Sequence, residues 1–334
     1  MDGSRYRVRD HADTDFEAES RLFSTVEPES PVTADELRHY RRLFDPPAEP
    51  RSGPSLYLCD RVAEEQRTGD VVAAGRLSHA PEAFDPDRYW LEVVVAPAHR
   101  GQGIGRELYR GFEELATSRR ARTLMASARA EDPRGVRFLG VNGFVERHRF
   151  VHLRLDLARS APTTPRRDPA SWEREGVTFV TLADEGPEDT TVRDRLYSLS
   201  AEAELDVPRL GVATSFSYAQ FVEIVFGRPG YSPDAIFLAR DGDRYVAMTS
   251  LVHMPYQSDT LHVGFTGTAR THRGRGLATE LKLRAVDYAR ANGFRYLATG
   301  NDAANRPIRA INERLGFRTE FTRILGEKEL RPGT

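Results

Sequence analysis

At 334 residues, with 39% hydrophobic and 29% charged residues, the chain has the length and composition of two globular units that each bury a core. Its 48 basic and 50 acidic residues leave a formal charge of −2, which excludes the basic bias of a nucleic-acid partner or an anionic membrane surface. No apolar run reaches the length of a membrane span.

Residues 1–11 are polar and arginine-rich, with no apolar stretch to act as a secretory signal, so a cytoplasmic protein is expected. A first strand is expected over 5–8, then helical segments, then a hairpin-like strand over 71–77. The single cysteine, Cys59, rules out an intrachain disulfide; beside Tyr57 and Leu58 it reads as a small buried residue rather than a nucleophile. The apolar, β-prone run 89–95 leads into a glycine-rich segment. An amphipathic helix opens there, with Ile104, Leu108, Phe112, Leu115 and Ala116 on one face. A short strand over 123–127 follows. Asp132-Pro133 then suits the cap and first turn of a second helix running toward Gly143-Phe144. Residues 158–176, with Pro162, Pro165 and Pro169, read as a linker in which Arg166 and Arg167 are solvated charges.

The same order then recurs. A first strand is expected over 177–182, a turn at Gly242-Asp243, and strands over 245–252, 261–268 and 296–299. Residues 94–105 (VVAPAHRGQGIG) return in outline as 267–278 (GTARTHRGRGLA) at an offset of 173 residues, and Gly143-Phe144 returns as Gly316-Phe317 at the same offset. The helical face returns as Leu277, Leu281, Ala285, Tyr288 and Ala289, and Asn305 with Pro307 takes the place of Asp132-Pro133. The expected fold class is α/β, in two tandem units over 1–157 and 177–334.

Each glycine segment sits where a strand gives way to a helix. Glycine lets the backbone approach a ligand closely, and a helix amino terminus offers unpaired N–H groups to an anion. A dinucleotide fingerprint needs a further glycine where Arg106 and Thr279 stand, and no Gly-Lys-Ser/Thr phosphate loop occurs. A tight turn without a ligand is the competing reading, and two copies in matching context weigh against it.

Both halves resemble the GCN5-related N-acetyltransferase family, and the whole chain resembles its tandem members. The likeness is strongest in His272-Arg273-Gly274-Arg275-Gly276-Leu277-Ala278, in Asn301 and Asn305, and in Ile311-Asn312-Glu313-Arg314-Leu315-Gly316-Phe317. It implies acetyl-CoA as cosubstrate, no metal, and an amine acceptor: a small molecule, a lysine side chain or a protein amino terminus. By the same likeness Arg100, Gly101, Gln102, Gly103, Ile104, Gly105 and Arg106 cradle the pyrophosphate. The strand ending at Val94 and Val95 parts from its neighbour to receive the pantetheine arm. Arg273, Gly274, Arg275, Gly276, Leu277 and Ala278, with the strand ending at Thr268, form a second such site, and Asn301 and Asn305 lie beside the CoA arm.

Direct transfer needs a base, an oxyanion donor and a departing thiolate. Glu92 is the candidate base, against the alternative of an outward strand charge. At the offset of 173 its counterpart is Phe265, and the nearby His262 reads as structural or exposed. The family's tyrosine acid has no counterpart, because Leu139 and Asn312 stand four residues before the Gly-Phe glycines. The thiolate then takes its proton from water. Acidic residues in the first helical segments (Asp13, Asp15, Glu17, Glu19, Glu27 and Glu29; Glu185, Glu188, Asp189, Glu202, Glu204 and Asp206) suggest a cationic acceptor, unless they are solvated helix faces. A non-catalytic acetyl-CoA sensor, or one active half with a structural partner, stays open at this point.

Overall fold

The computed structural model describes residues 5–44, 56–160, 164–254 and 256–330. In chain order the elements of the first half are β1 (Tyr6–Asp10), α1 (Phe16–Val26), α2 (Ala34–Arg42), β2 (Leu58–Glu65), β3 (Val71–Ser78), β4 (Arg88–Val95), α3 (Ile104–Ser118), β5 (Thr123–Arg129), α4 (Pro133–Val141) and β6 (Val145–Asp156). A short helix, α5 (Pro169–Arg174), leads into β7 (Val177–Thr181) and α6 (Leu182–Glu185). The second half continues with α7 (Thr190–Glu204), α8 (Tyr218–Val225), β8 (Ile236–Asp241), β9 (Arg244–His253), β10 (Thr260–Thr268), α9 (Leu277–Ala291), β11 (Tyr296–Asp302), α10 (Arg306–Leu315) and β12 (Arg318–Glu329). Among the described residues no helix is long and apolar enough to cross a membrane.

Local chemistry starts several of these helices. Thr33 and Glu36 form a capping box at α2, as Ser217 and Gln220 do at α8. The Asp132 carboxylate accepts the Arg134 N–H at 3.0 Å, with Pro133 in the first turn of α4. The apolar faces expected on α3 and α9 are the faces that become buried: Ile104, Leu108, Phe112 and Ala116, then Leu277, Leu281, Ala285 and Ala289.

The chain divides into two compact units, Met1–Arg147 with Ile324–Thr334, and His148–Arg323. The first unit orders its strands β1-β2-β3-β4-β5, followed by the end of β12. Its pairs are antiparallel except the parallel pair β4·β5. The second unit orders them β7-β8-β9-β10-β11, followed by β6 and the start of β12. Here β10·β11 is parallel, and β6 runs antiparallel to β11 from Asp156↔Tyr296 to Phe150↔Asp302. The division therefore differs from the one read off the repeat. Most of β6 pairs within the second unit, and the end of β12 belongs to the first. Strand pairing, not order along the chain, sets the membership.

The segment expected as a linker also differs. Residues 168–175 carry α5, capped by the Asp168 carboxylate on the Ala170 N–H, and Trp172 is buried at 3% exposure. Arg166 and Arg167 are exposed, and each also pairs with a carboxylate, Asp287 and Glu175. Pro162 lies outside the described residues.

Candidate active site

Strand β4 pairs with β5 only from Arg88↔Thr123 to Leu91↔Ala126, so Glu92 to Val95 run on without that neighbour. In the second unit β10 pairs with β11 only from Thr260↔Tyr296 to His262↔Ala298. Both strands thus part from a parallel partner before reaching a glycine loop, leaving one edge of peptide groups open to an extended ligand.

The two loops are built alike. The Arg100 Nε donates to the Val95 carbonyl at 3.0 Å, and the Arg273 Nε donates to the Thr268 carbonyl at 3.1 Å. Each arginine thereby ties its loop to the strand end. Gly101 and Gly103 have φ of 77° and 88°, and Gly274 and Gly276 have 76° and 90°, values that L side chains rarely adopt. Gly103 and Gly276 are the residues just ahead of α3 and α9, and their carbonyls accept from the N–H of Glu107 and Glu280. The N–H groups of Ile104, Gly105 and Arg106, and those of Leu277 and Ala278 with Thr279, have no acceptor inside their helices.

Their surroundings differ. In the first unit the Gln102 Oε1 accepts from the Tyr6 hydroxyl at 2.7 Å and from Arg5 Nη1 at 3.0 Å. In the second, the Asp206 carboxylate takes both Arg270 (2.8 and 2.7 Å) and Arg273 Nη2 (2.6 Å), and Arg270 and Arg273 hold its carboxyl well below the usual range. Helix α5 packs beside this loop. Arg167 lies 3.8 Å over the Trp172 ring and donates to the Arg275 carbonyl at 3.1 Å, while Glu175 accepts from Arg275 at 2.9 Å.

A one-residue bulge separates the two strands that carry the site. Val263 faces Leu251 and Thr266 faces Thr249, so Gly264 and Phe265 share the single partner Ser250, whose Oγ accepts the Phe265 N–H at 3.0 Å. Strands β3 and β4 stay in register throughout. The repeat offset is consequently 172 before the bulge, matching Arg88 to Thr260, and 173 after it, matching Val95 to Thr268. The counterpart of Glu92 is the bulged pair Gly264–Phe265, and Ser250 stands where the first unit has Arg76.

Glu92 is half-buried and lies on the face of β4 that meets α1, since Val94 shares a cluster with Leu22 of that helix. Asp60, Arg76 and Glu92 stand side by side across β2, β3 and β4, and Arg76 Nε donates to Asp60 Oδ1 at 2.6 Å. This row was invisible in the sequence, because residues 16 apart become neighbours only through register.

In the second unit Asn312 is 0% exposed, and its Nδ2 donates to Asn301 Oδ1 at 2.7 Å. Leu139, at the same place in the first unit, is buried in the core. Asn305 precedes α10, but its side chain makes no capping bond, so capping does not account for it. Cys59 is half-buried, and burial pushes its thiol up.

His262 is mostly buried beside Gln257, and burial, with Arg228 and Arg154 nearby, brings its imidazole down to about 4. The unfolded chain therefore binds this proton first as pH falls. Stability is expected to drop by up to ~1.4 kcal/mol per unit between roughly pH 6.5 and 4. Urea unfolding of His262→Gln should show a shallower slope over that window.

Most of the acidic residues expected to attract a cation are already paired. Asp15 with Arg9, Glu17 with Arg38, Glu29 with Arg129, Glu185 with Arg240, Glu188 with Arg193 and Glu204 with Arg209 form ion pairs. Among the described residues no group of three His, Cys, Asp or Glu side chains is placed to hold a metal.

Fold and loops together define an α/β protein with two strand–glycine loop–helix junctions. The family model of the acetyltransferase (GNAT) family matches residues 16–144 and 206–317. A mycothiol acetyltransferase of Geodermatophilus obscurus is 28% identical over 230 residues, covering 68% of this chain and 69% of that protein. Two solved structures share the fold. A tandem GNAT protein from the clavulanic acid biosynthesis pathway has a TM-score of 0.72 at 24% identity, covering 98% of this chain and 100% of its own. A GCN5-related N-acetyltransferase from Sphaerobacter thermophilus has 0.67 at 18%, covering 99% and 98%. The chain belongs to the acetyltransferase (GNAT) family and is an acetyl-CoA-dependent N-acetyltransferase.

Proposed function

We propose that the chain moves an acetyl group from acetyl-CoA directly to a primary amine in a ternary complex, with the repeats within 1–157 and 177–334 each supplying the strand–loop–helix core of one acetyltransferase domain. The observation that carries this reading is the twofold arrangement of a parted strand ending in a loop of left-handed glycines and open helix N–H groups. Arg100 to Arg106 and Arg273 to Ala278 cradle the diphosphate through main-chain N–H groups. The open edges at Val94, Val95 and Thr268 pair with the pantetheine amides, and Asn301 and Asn305 flank that arm.

In the first half Glu92 takes a proton from the acceptor ammonium, freeing a lone pair that attacks the thioester carbonyl carbon. A main-chain N–H near Val95 or Thr268 holds the oxyanion. Collapse breaks the C–S bond, the nitrogen gives up its second proton to water to leave the amide, and the thiolate takes a proton from water. Leu139 cannot donate one, and the Asn312 amide is not an acid.

Thiol release from acetyl-CoA across a panel of amines tests the reading. Glu92→Gln is expected to lower kcat/KM by about a hundredfold and to flatten its acid limb, as loss of a general base does. CoA binding with no amine ever releasing thiol above the hydrolysis rate would replace it with an acyl-CoA sensor.

A further inference from the structure

Asn301 stands beyond the last pairing of β11 with β10, His262↔Ala298, on the stretch of β11 that keeps only β6 as its neighbour. It therefore lies on the wall of the opening that faces the free edge of β10. Helix α10 returns over this stretch through a turn fixed at Asp302, whose Oδ1 accepts the Ala304 N–H at 2.7 Å and whose Oδ2 lies 2.8 Å from His148 Nδ1. At its other end Leu315 and Phe317 sit in the core that also holds Leu297 of β11. Between these anchors the Asn312 Nδ2 donates to Asn301 Oδ1.

That bond is all that the buried Asn312 amide gains. Its Oδ1 is sealed from solvent and has no partner among the described residues, and a buried polar group left unmet costs about 1–3 kcal/mol. In the first unit Leu139 fills the corresponding place with an apolar side chain and bears no such cost. Packing of α10 thus does not call for an amide. What the amide changes is Asn301, which is half-buried and whose Nδ2 makes no bond to any described residue. A side-chain amide held by its oxygen presents its N–H donors, and the pantetheine arm offers amide carbonyls to accept them.

We infer that Asn312 is a positioning residue for the second CoA site: it fixes the Asn301 amide so that Nδ2 donates to a carbonyl oxygen of the pantetheine arm. The inference rests on the reading that places Asn301 beside that arm. It gives an orienting task to the position where the family's tyrosine acid is missing.

Calorimetry of the Gly103→Val protein, which leaves the second loop to bind, tests it with CoA and with ADP, which keeps the diphosphate and lacks the arm. Asn312→Leu is expected to weaken CoA by about five- to tenfold and ADP by less than about twofold. Asn312→Ala, which adds no volume, should give the same pattern and guards against overpacking by leucine. Asn301→Ala should match them, and the double variant should bind CoA no more weakly than Asn301→Ala alone, because Asn312 acts only through Asn301. Equal losses for CoA and ADP, or additive losses in the double variant, would overturn the inference. A loss in Asn301→Ala that neither Asn312 variant shares would overturn it and leave Asn301 beside the arm. Full CoA affinity in Asn301→Ala would sink that reading of Asn301, and the inference with it.

Discussion

Replacing Gly103 or Gly276 by valine is expected to abolish CoA binding at the altered loop and leave the other loop intact. Both glycines have φ near 90°, where a β-branched residue is strained by at least ~1–2 kcal/mol. A Cβ at Gly103 meets nothing within 4 Å, and one at Gly276 meets only the Trp172 ring at 3.9 Å. The fold therefore accommodates the added volume, and the main loss falls on a ligand approaching the N–H groups. An affinity loss of about a hundredfold, or ~2.7 kcal/mol, is expected at each loop. Calorimetry with CoA reads the outcome as stoichiometry, which should fall from two to one in each single variant and to zero in the double. A double variant that still binds CoA would remove the assignment of both loops. A wild type that binds one CoA, lost in only one variant, would identify the active half.

Lys282→Met is expected to stabilise the protein. Lys282 lies on α9 at 3% exposure, with the Phe317 ring 5.6 Å from its ammonium and no hydrogen bond or ion pair to any described residue. Burial brings it down to about 7. An unfolded lysine titrates near 10.4, so the folded state gives up its proton first. Below pH 7 both states are charged and the cost of burial is fully present. Between roughly pH 7 and 10 that cost falls by up to ~1.4 kcal/mol per unit, so stability rises with pH. Methionine removes the charge and keeps the volume, so a gain of ~2–4 kcal/mol is expected at pH 7, vanishing above about pH 10. Thermal unfolding across this range checks it. Parallel profiles for the two proteins would show that Lys282 is stabilised by something other than its ring contact.

Much of the site was legible because its signals are local. The glycine spacing, the helical stripe beginning at Ile104 and Leu277, and the β-prone runs before each loop depend on a few consecutive residues, and all took the expected form. The bulge was not legible. Gly264 and Phe265 look like any strand dipeptide, and only the pairing with Ser250 shows that one residue is extra. Helix α5 was hidden for a related reason, since proline and charge suggest exposure until Trp172 finds a buried place beside Phe179.

From the sequence by itself came the duplication, the α/β order and the two glycine-rich turns between strand and helix, because periodicity and glycine content act over short stretches of chain. Tertiary structure alone decided which strands complete each unit, since β6 and β12 have no sequence feature that selects a partner edge. It also decided that Asp60, Arg76 and Glu92 stand in one row and that Glu19 is buried beside Arg76. Register and burial are properties of paired strands and packed helices, and long-range contacts of that kind leave no periodic trace in a single sequence.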